Sequence, residues 1–201
     1  MAQPRRKSAG TAGRGGGRLR IIGGIWRSRR IEFAAAAGVR PTADRIRETL
    51  FNWLQDVIPG ARCLDLYAGS GALGFEALSR GAHHVVFVDQ DLRVVQQLQA
   101  NAVLLGARDA EIVWSEAFEY LAACRAGPFD VVFLDPPFRD DVASECCRRL
   151  EQFGLLAAPA FVYLETDRRR PPPALPARWR WLHDRTAGQV AYRLLRRDAP
   201  A

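Results

Sequence analysis

Apolar positions recur with two different periods along most of the chain. From Arg62 onward, five apolar runs typical of buried strands alternate with stretches of helical spacing; the runs are RCLDLYA, HHVVFVD, AEIVWSE, FDVVFLD and AFVYLET. This alternation predicts an open parallel sheet with helices on both faces. The final stretch, RWLHDRTAGQVAYRLLRR, predicts a hairpin that adds an antiparallel edge. We therefore expect an α/β fold with a mostly parallel seven-stranded sheet.

The N-terminal part has a different pattern. Residues 1–18 are mainly Gly, Ala, Ser and basic residues without periodicity, which predicts a disordered basic arm. The segment RLRIIGGIWRSRRIEF then predicts a small hairpin with a basic face. The expected organisation is an arm over 1–18, a hairpin and helix over 19–58, and a main domain over 59–201.

The helix of this N-terminal extension is predicted by RPTADRIRETLFNWLQDVI. Its apolar residues recur at helical spacing, so Ile46, Leu50 and Leu54 should pack into the core. Arg45 and Arg47 lie elsewhere on the predicted helix, and core packing explains them less well.

Positive charge is concentrated near the N-terminus. Residues 1–30 contain nine bases and no acid, whereas the whole chain has 29 bases and 22 acids, so residues 31–201 carry 20 bases and 22 acids, a net charge of −2. A basic segment of this kind most often contacts a polyanion, and nucleic acid is the first expectation. A merely solubilising tail is the alternative.

The cysteine and histidine patterns narrow the class of protein. Four cysteines form no C-x-x-C pair and three histidines form no H-E-x-x-H motif, so we expect reduced thiols and no dedicated metal site. We find no secretion signal, and the longest apolar run, GLLAAPAFVYL, is too short to span a bilayer. These observations favour a cytoplasmic protein with no membrane partner.

A glycine-rich motif follows the first strand of the main domain. In DLYAGSGALG, Gly69, Gly71 and Gly74 match G-x-G-x-x-G, and Asp89 ends the next predicted strand 20 residues after Gly69. This pattern indicates a nucleoside cofactor whose ribose hydroxyls bind the acid. A dinucleotide and S-adenosylmethionine both fit. Asp65 favours S-adenosylmethionine, because an acid suits the ammonium of the methionine moiety and suits a pyrophosphate poorly.

The fourth strand ends unusually, in VVFLDPPF. Two prolines fix the backbone and remove two N–H donors, which leaves a stiff corner behind an acid. Taken alone, this octapeptide is equally consistent with a rigid strand terminator that has no chemical role.

Taken together, these motifs resemble a known family. The chain resembles the RsmD-type enzymes in four segments: RPTADRIRETLFNWL, CLDLYAGSGALGFEALSRGA, DPPF and AGQVAYRL. These enzymes are Rossmann-fold S-adenosylmethionine-dependent methyltransferases that modify N2 of a guanine in bacterial 16S ribosomal RNA. The resemblance covers residues 19–197 and leaves the N-terminal arm outside. It implies a Rossmann-like methyltransferase fold, S-adenosyl-L-methionine as the cofactor, and 16S ribosomal RNA as the partner, with a small-subunit particle as the expected context and a monomer as the expected state.

The resemblance also assigns site residues. At the DPPF corner, Asp135 and the carbonyl of Pro136 would accept the N–H bonds of the target amine, and Phe138 would stack on the extruded base. Thr42 would lie near cofactor and substrate. The cofactor would contact Asp65, Ala68, Gly69, Gly71, Asp89, Gln90, Glu116, Ala117, Phe118 and Asp135. The RNA would contact Arg20, Arg27, Arg29, Arg30, Arg40 and Arg45.

Two further readings stay open. The same corner serves any exocyclic amine, so adenine-N6 or cytosine-N4 of RNA or DNA is an alternative target, although the RPTADRIRETLFNWL segment favours guanine. A non-enzymatic module that binds NAD or RNA is the third reading. Asp65 and the DPPF corner argue against it.

Overall fold

A computed structural model describes residues 16–34, 42–136 and 142–199 of the chain. Most of the predicted basic arm, together with Arg40, Pro137 and Phe138, therefore lies outside the described residues. Among those that are described, no helix combines the length and the apolar composition needed to cross a membrane.

The N-terminal extension forms the predicted hairpin and helix. Strands β1 (Gly17–Arg20) and β2 (Arg30–Phe33) pair antiparallel, and a short 3₁₀ turn at Gly24–Trp26 lies in the connection. Helix α1 spans Asp44–Trp53 and ends earlier than predicted, although Leu54 remains buried behind it. Strand β1 begins two residues before the predicted start of the hairpin at residue 19, so the predicted arm is too long at its C-terminal end: Gly17 pairs with Phe33 and Arg18 with Glu32.

Within the described residues, the main sheet has seven strands, as predicted. They are β3 (Arg62–Asp65), β4 (His84–Asp89), β5 (Ala110–Trp114), β6 (Phe129–Leu134), β7 (Leu156–Asp167), β8 (Trp179–Ala187) and β9 (Val190–Arg197). Their order is β5-β4-β3-β6-β7-β9-β8, with the first five parallel and β9 antiparallel to both β7 and β8. This topology confirms the Rossmann-like α/β prediction. Strand β7 starts four residues earlier than its predicted run.

Helices cover both faces of the sheet. They are α2 (Ala72–Ser79), α3 (Leu92–Leu105), α4 (Ala117–Ala123) and α5 (Val142–Gln152). Apolar residues of α1, α2, α3 and the hairpin pack on one face, and those of α4 and α5 pack on the other. Neighbouring positions of one strand, such as Cys63 and Leu64 of β3, belong to different clusters because strand side chains alternate.

A buried ion pair joins the N-terminal extension to the main domain. Glu76 of α2 is fully buried and accepts hydrogen bonds from the backbone N–H groups of Ile22 and Gly23, both at 2.8 Å. Its carboxylate also pairs with Arg47 at 3.4 Å and with Arg80 at 2.7 Å. A buried carboxylate is tolerated only with such partners, so these contacts fix the hairpin on α2.

The expectation that packing in the core explains Arg47 poorly was wrong. Its side chain is 1% exposed and belongs to the interior of the fold. Besides Glu76, it donates to the carbonyls of Arg20 and Thr42 and to the carboxylate of Asp44. Arg47 thus connects the hairpin, the chain before α1 and helix α2.

We expect Glu76→Ala to destabilise the protein by about 3–5 kcal/mol, because it removes the buried charge partner of Arg47, leaves that guanidinium paired with the half-exposed Asp44, and removes the acceptor for two backbone N–H groups. Urea denaturation followed by circular dichroism measures the loss. Glu48→Ala, at an exposed position of α1, is the control and should change stability little. A loss below about 1 kcal/mol for Glu76→Ala, the upper range for an exposed pair, would contradict this role.

Candidate active site

Strand β3 ends earlier than its two neighbours in the sheet, β4 and β6. Asp65, the last residue of β3, is in register with Phe87 of β4 and Phe133 of β6, and Phe133 is in register with Tyr163 of β7. Strands β4 and β6 extend two and one residues beyond this level, whereas the chain after Asp65 donates from the N–H of Leu66 to Phe133 and from the N–H of Ala68 to Val88 and then enters the glycine loop. A notch therefore forms above β3 at the carboxyl edge of the sheet, where parallel α/β sheets bind their ligands.

Four carboxyl side chains surround this notch on one face of the sheet. Asp65 forms the floor of the notch. Phe87, Phe133 and Tyr163 lie level with Asp65 on the neighbouring strands, and two residues after each of them comes another acid: Asp89, Asp135 and Glu165. Because side chains two residues apart share a face, all four point to the side covered by α1, α2 and α3.

The glycine loop crosses the notch between β3 and α2. Gly71 has a φ of +73°, and a Cβ at this position would lie 2.6 Å from Leu98. Gly74 lies on the first turn of α2, where a Cβ would meet the ring of Phe87 at 2.2 Å. The second and third glycines of the motif therefore permit a left-handed turn and a close approach of α2 to the sheet.

Asp89 fixes the start of this loop. One carboxylate oxygen accepts the backbone N–H of Gly69 at 2.9 Å, and the other accepts that of Asp91 at 2.9 Å. Burial raises the pKa of Asp89, and these hydrogen bonds partly offset the effect. The carboxylate is thereby oriented at the end of β4 and retains lone pairs for further donors.

Asp65 is a buried acid at the end of β3, and its side chain faces the first turn of α2. Its carboxylate accepts the backbone N–H of Gly74 at 3.0 Å. Burial raises the pKa of Asp65 to about 8, the Gly74 hydrogen bond opposes this, and the charge of Asp89 adds to it. An acid held at this pKa gains most from a positively charged ligand beside it.

Asp135 and Pro136 follow the end of β6 on the opposite side of the notch from Asp89. Burial raises the pKa of Asp135 well above its ordinary value, and the neighbouring charges of Glu165 and Asp65 raise it further. Pro136 is buried behind Asp135. Its lack of an N–H and its fixed φ stiffen the backbone at this point.

Comparison with known proteins identifies the family. The family model described as Conserved hypothetical protein 95, that of the RsmD family, matches residues 19–196. The chain belongs to this family. It is 48% identical over 92% of its length to "Ribosomal RNA small subunit methyltransferase D" of Escherichia coli strain K12, covering 93% of that protein. The solved structure of yhhF from Escherichia coli has a TM-score of 0.83 at 47% identity, over 92% of this chain and 100% of that one.

A more distant structure shares the fold. SMU.776, described as complexed with SAH, has a TM-score of 0.65 at 14% identity, with 83% of this chain and 53% of that chain covered. The family match confirms the resemblance to RsmD-type methyltransferases that the motifs indicated. This member of the RsmD family is a methyltransferase, and its cofactor is S-adenosylmethionine.

The residues of the notch fit this cofactor. S-adenosylmethionine carries a sulfonium and an ammonium, and the sulfonium supplies the electrophilic methyl group. Buried acids with raised pKa values, Asp65 and Asp89, are suited to a cationic ligand. A dinucleotide would instead bring a pyrophosphate towards these acids, which is unfavourable. Asp65 at the methionine end and Asp89 at the ribose remain predicted contacts.

The predicted adenine segment begins helix α4. Glu116 is its N-cap and accepts the backbone N–H groups of Phe118 and Glu119 at 2.7 and 3.0 Å. Phe118 is half-buried under the guanidinium of Arg149, which lies 4.4 Å from the ring centre. The structure thus gives Glu116 and Phe118 local structural contacts. Their contacts with adenine, like those predicted for Ala68, Gln90 and Ala117, stay predictions.

The basic residues of the extension lie in three different environments. Arg20 and Arg30 line a cleft of about 490 Å³ together with Arg18, Leu19, Phe33, Thr42, Ala43 and Asp44. Arg29 instead donates to the carbonyls of Leu104 and Leu105 at the end of α3. Arg27 and Arg45 are exposed. Contacts with RNA stay predictions for Arg20, Arg27, Arg29, Arg30, Arg40 and Arg45. Arg29 also has the structural contact with α3.

One acid of the notch was missed from the sequence. Glu165 lies on β7 beside Asp135, is 4% exposed, and accepts a hydrogen bond of 2.7 Å from the hydroxyl of Tyr163. The signal for Glu165 in the sequence was its position in AFVYLET, near the carboxyl end of a buried strand. That Glu165 lies next to Asp135 follows only from the register between β6 and β7.

We expect the affinity for S-adenosylmethionine to rise with pH between about 6 and 7.5, by up to about tenfold per unit. In the enzyme without ligand, burial raises the pKa of Asp65 to about 8. The ammonium of the bound cofactor favours the ionised form of Asp65, so cofactor binding below this pH releases a proton from it. Calorimetric titrations at several pH values measure the slope. Asp65→Asn retains an acceptor for Gly74 but should bind more weakly and lose the slope.

The matched control is Asp91→Asn. Asp91 is the N-cap of α3, and its contacts with Arg93 lower its pKa to about 2, so it stays ionised throughout this range. This variant should keep the wild-type slope. A wild-type affinity independent of pH, or an Asp65→Asn protein with the wild-type slope, would argue against Asp65 as the partner of the ammonium.

Proposed function

We propose that this enzyme transfers a methyl group from S-adenosylmethionine to the exocyclic N2 amine of a guanine in 16S ribosomal RNA. The observation that carries the proposal is the position of Asp135 and Pro136, at the end of β6 and across the notch from the cofactor acids. The Escherichia coli relative is named as a methyltransferase of small-subunit ribosomal RNA, which supports RNA as the substrate.

Asp135 and Pro136 have complementary tasks in this reaction. The lone pair of an exocyclic amine is delocalised into the base and makes a poor nucleophile. A carboxylate and a carbonyl that accept its two N–H bonds favour a pyramidal nitrogen and direct its lone pair at the methyl carbon. Orientation and charge placement supply most of the rate, with no covalent intermediate. Asp135 takes up the proton late, once the methylated nitrogen is acidic.

The cleft beside the hairpin provides a path for the RNA. Arg20 and Arg30 line it, and Thr42 lines its inner part while its hydroxyl hydrogen-bonds Glu165 next to Asp135. Arginines in such a cleft would bind phosphates while the target base enters the notch. Because the base must leave its stack, a loop or bulge guanine is the favoured target. A small-subunit particle as substrate and a monomeric enzyme are part of this proposal.

We expect Asp135→Ala to reduce turnover by at least roughly 10²–10³-fold, as for loss of one preorganised hydrogen-bond partner in other enzymes. The assay uses small-subunit RNA from a strain lacking the enzyme, and mass spectrometry of nucleosides identifies the product. Asp130→Asn, at the other end of β6, is the control, because Asn can still accept the N–H of Arg62.

Formation of N2-methylguanosine by wild-type enzyme supports the proposed target. N6-methyladenosine or N4-methylcytidine would show that the same corner acts on a different amine. Near wild-type turnover by Asp135→Ala would remove Asp135 from the reaction. Some loss of cofactor affinity in this variant is compatible with the proposal, since Asp135 borders the cofactor.

Deletion of residues 1–15 should weaken RNA binding without changing the melting temperature. It removes four bases, Arg5, Arg6, Lys7 and Arg14, and leaves β1 intact. If all four contact single-stranded RNA, the logarithmic salt slope falls by about 2.8, and two or three contacts give about 1.4–2.1, which is the result we expect. Phosphate contacts carry no sequence information, so all RNA sequences should be affected alike. Identical slopes for full-length and shortened protein would make the arm a solubilising tail.

A further inference from the structure

A second buried acid lies beside the proposed amine site. Leu134 of β6 and Leu164 of β7 are in register, so the next residues are neighbours: Asp135, directly after β6, and Glu165, on β7. Both side chains lie on the face that carries Phe133 and Tyr163. Adjacent strands are about 4.8 Å apart, which is close enough for two side chains to contact one edge of one base.

Two hydroxyl groups hold Glu165 in place. Tyr163 donates to its carboxylate at 2.7 Å, and Thr42 donates a further hydrogen bond. Burial raises the pKa of Glu165, whereas these two hydrogen bonds lower it. Both partners act as donors, so they orient Glu165 as an acceptor. A carboxylate offers about four lone-pair sites, and two of them remain for a ligand.

The edge of guanine matches two adjacent acceptors. Its N1–H lies directly beside its N2 amine, so both neighbouring groups are donors. In adenine and cytosine the ring nitrogen next to the exocyclic amine is an acceptor instead. Next to Asp135, a fixed carboxylate would pair with guanine and would repel the ring lone pair of the other two bases.

We propose that Glu165 accepts the N1–H of the target guanine and thereby sets the base specificity of the enzyme. This inference rests on the proposed function and adds to it a residue outside the DPPF corner. Asp135 and the carbonyl of Pro136 position the amine, and Glu165 identifies the ring that bears it. A site built around a buried acceptor rejects a ligand that lacks the matching donor, because the acceptor is left unpaired.

The test compares guanine with 2-aminopurine at the target nucleotide of a synthetic RNA. This base keeps the exocyclic N2 amine but has a lone pair at N1 and no O6. Loss of O6 affects every enzyme variant alike, so the change in preference between variants isolates the contact with N1. The measurement is the ratio of kcat/KM for the two RNAs, with the product nucleoside identified by mass spectrometry.

Wild-type enzyme should prefer guanine by at least about 100-fold. In Glu165→Gln the amide oxygen can still accept a hydrogen bond from Tyr163. The amide N–H group then faces N1, where it meets a second donor in guanine but an acceptor in 2-aminopurine. We expect its preference to fall by at least about tenfold, which is about 1.4 kcal/mol. Asp167→Asn, two residues further along β7, is the matched control and should keep the wild-type ratio, since Asp167 pairs with Arg169.

Glu165→Asp provides a second variant if the Gln protein does not fold. It keeps the charge but withdraws the acceptor by one methylene, so the preference should fall here too. Unchanged ratios in the folded Glu165 variants, with wild-type affinity for S-adenosylmethionine, would overturn the inference while N2-methylguanosine formation still upholds the proposed function. If the wild-type product is not N2-methylguanosine, the proposed function and this inference both fail.

Discussion

The buried carboxylate of Glu76 is the constraint on which the arrangement of the molecule depends. A charge without access to water must be surrounded by donors, and the hairpin supplies two of them through Ile22 and Gly23. Arg47 supplies another from α1. Ser79, one turn further along α2, accepts the N–H of Trp26 and donates to the carbonyl of Gly23. The hairpin, α1 and α2 consequently share one core with the sheet, and Thr42 is held where it reaches Glu165.

Much of this fold could be predicted from periodicity, because buried strands and amphipathic helices leave distinct spacings in a sequence. The glycine motif and the DPPF corner were recognisable for the same reason, as local patterns with a fixed geometry. Arg47 could not be placed in this way, since an arginine in a helix is usually solvated and its partner Glu76 is 29 residues away. Glu165 escaped notice because its neighbour Asp135 lies on another strand, and local spacing carries no information on register between strands.

The two sides of the notch differ in how their acids are supported. Asp65 and Asp89 accept backbone N–H groups from the glycine motif and its surroundings, so their positions depend on the course of the main chain. Glu165 is held by the side-chain hydroxyls of Tyr163 and Thr42. Burial raises the pKa of all four acids around the notch. Keeping four buried acids ionised costs free energy. The positive charges of the cofactor and the hydrogen-bond donors on the edge of a base would each lower part of this cost.

The early end of β3 has a consequence for how such an enzyme can diverge. It separates the groups that would hold the cofactor, on β3 and β4, from those that would hold the acceptor base, on β6 and β7. If Glu165 recognises the base as proposed, substitutions in the last residues of β7 would alter the recognised base without disturbing the glycine motif. New substrates would then become accessible through side-chain changes on one strand, while the methyl donor and its binding loop would be inherited unchanged.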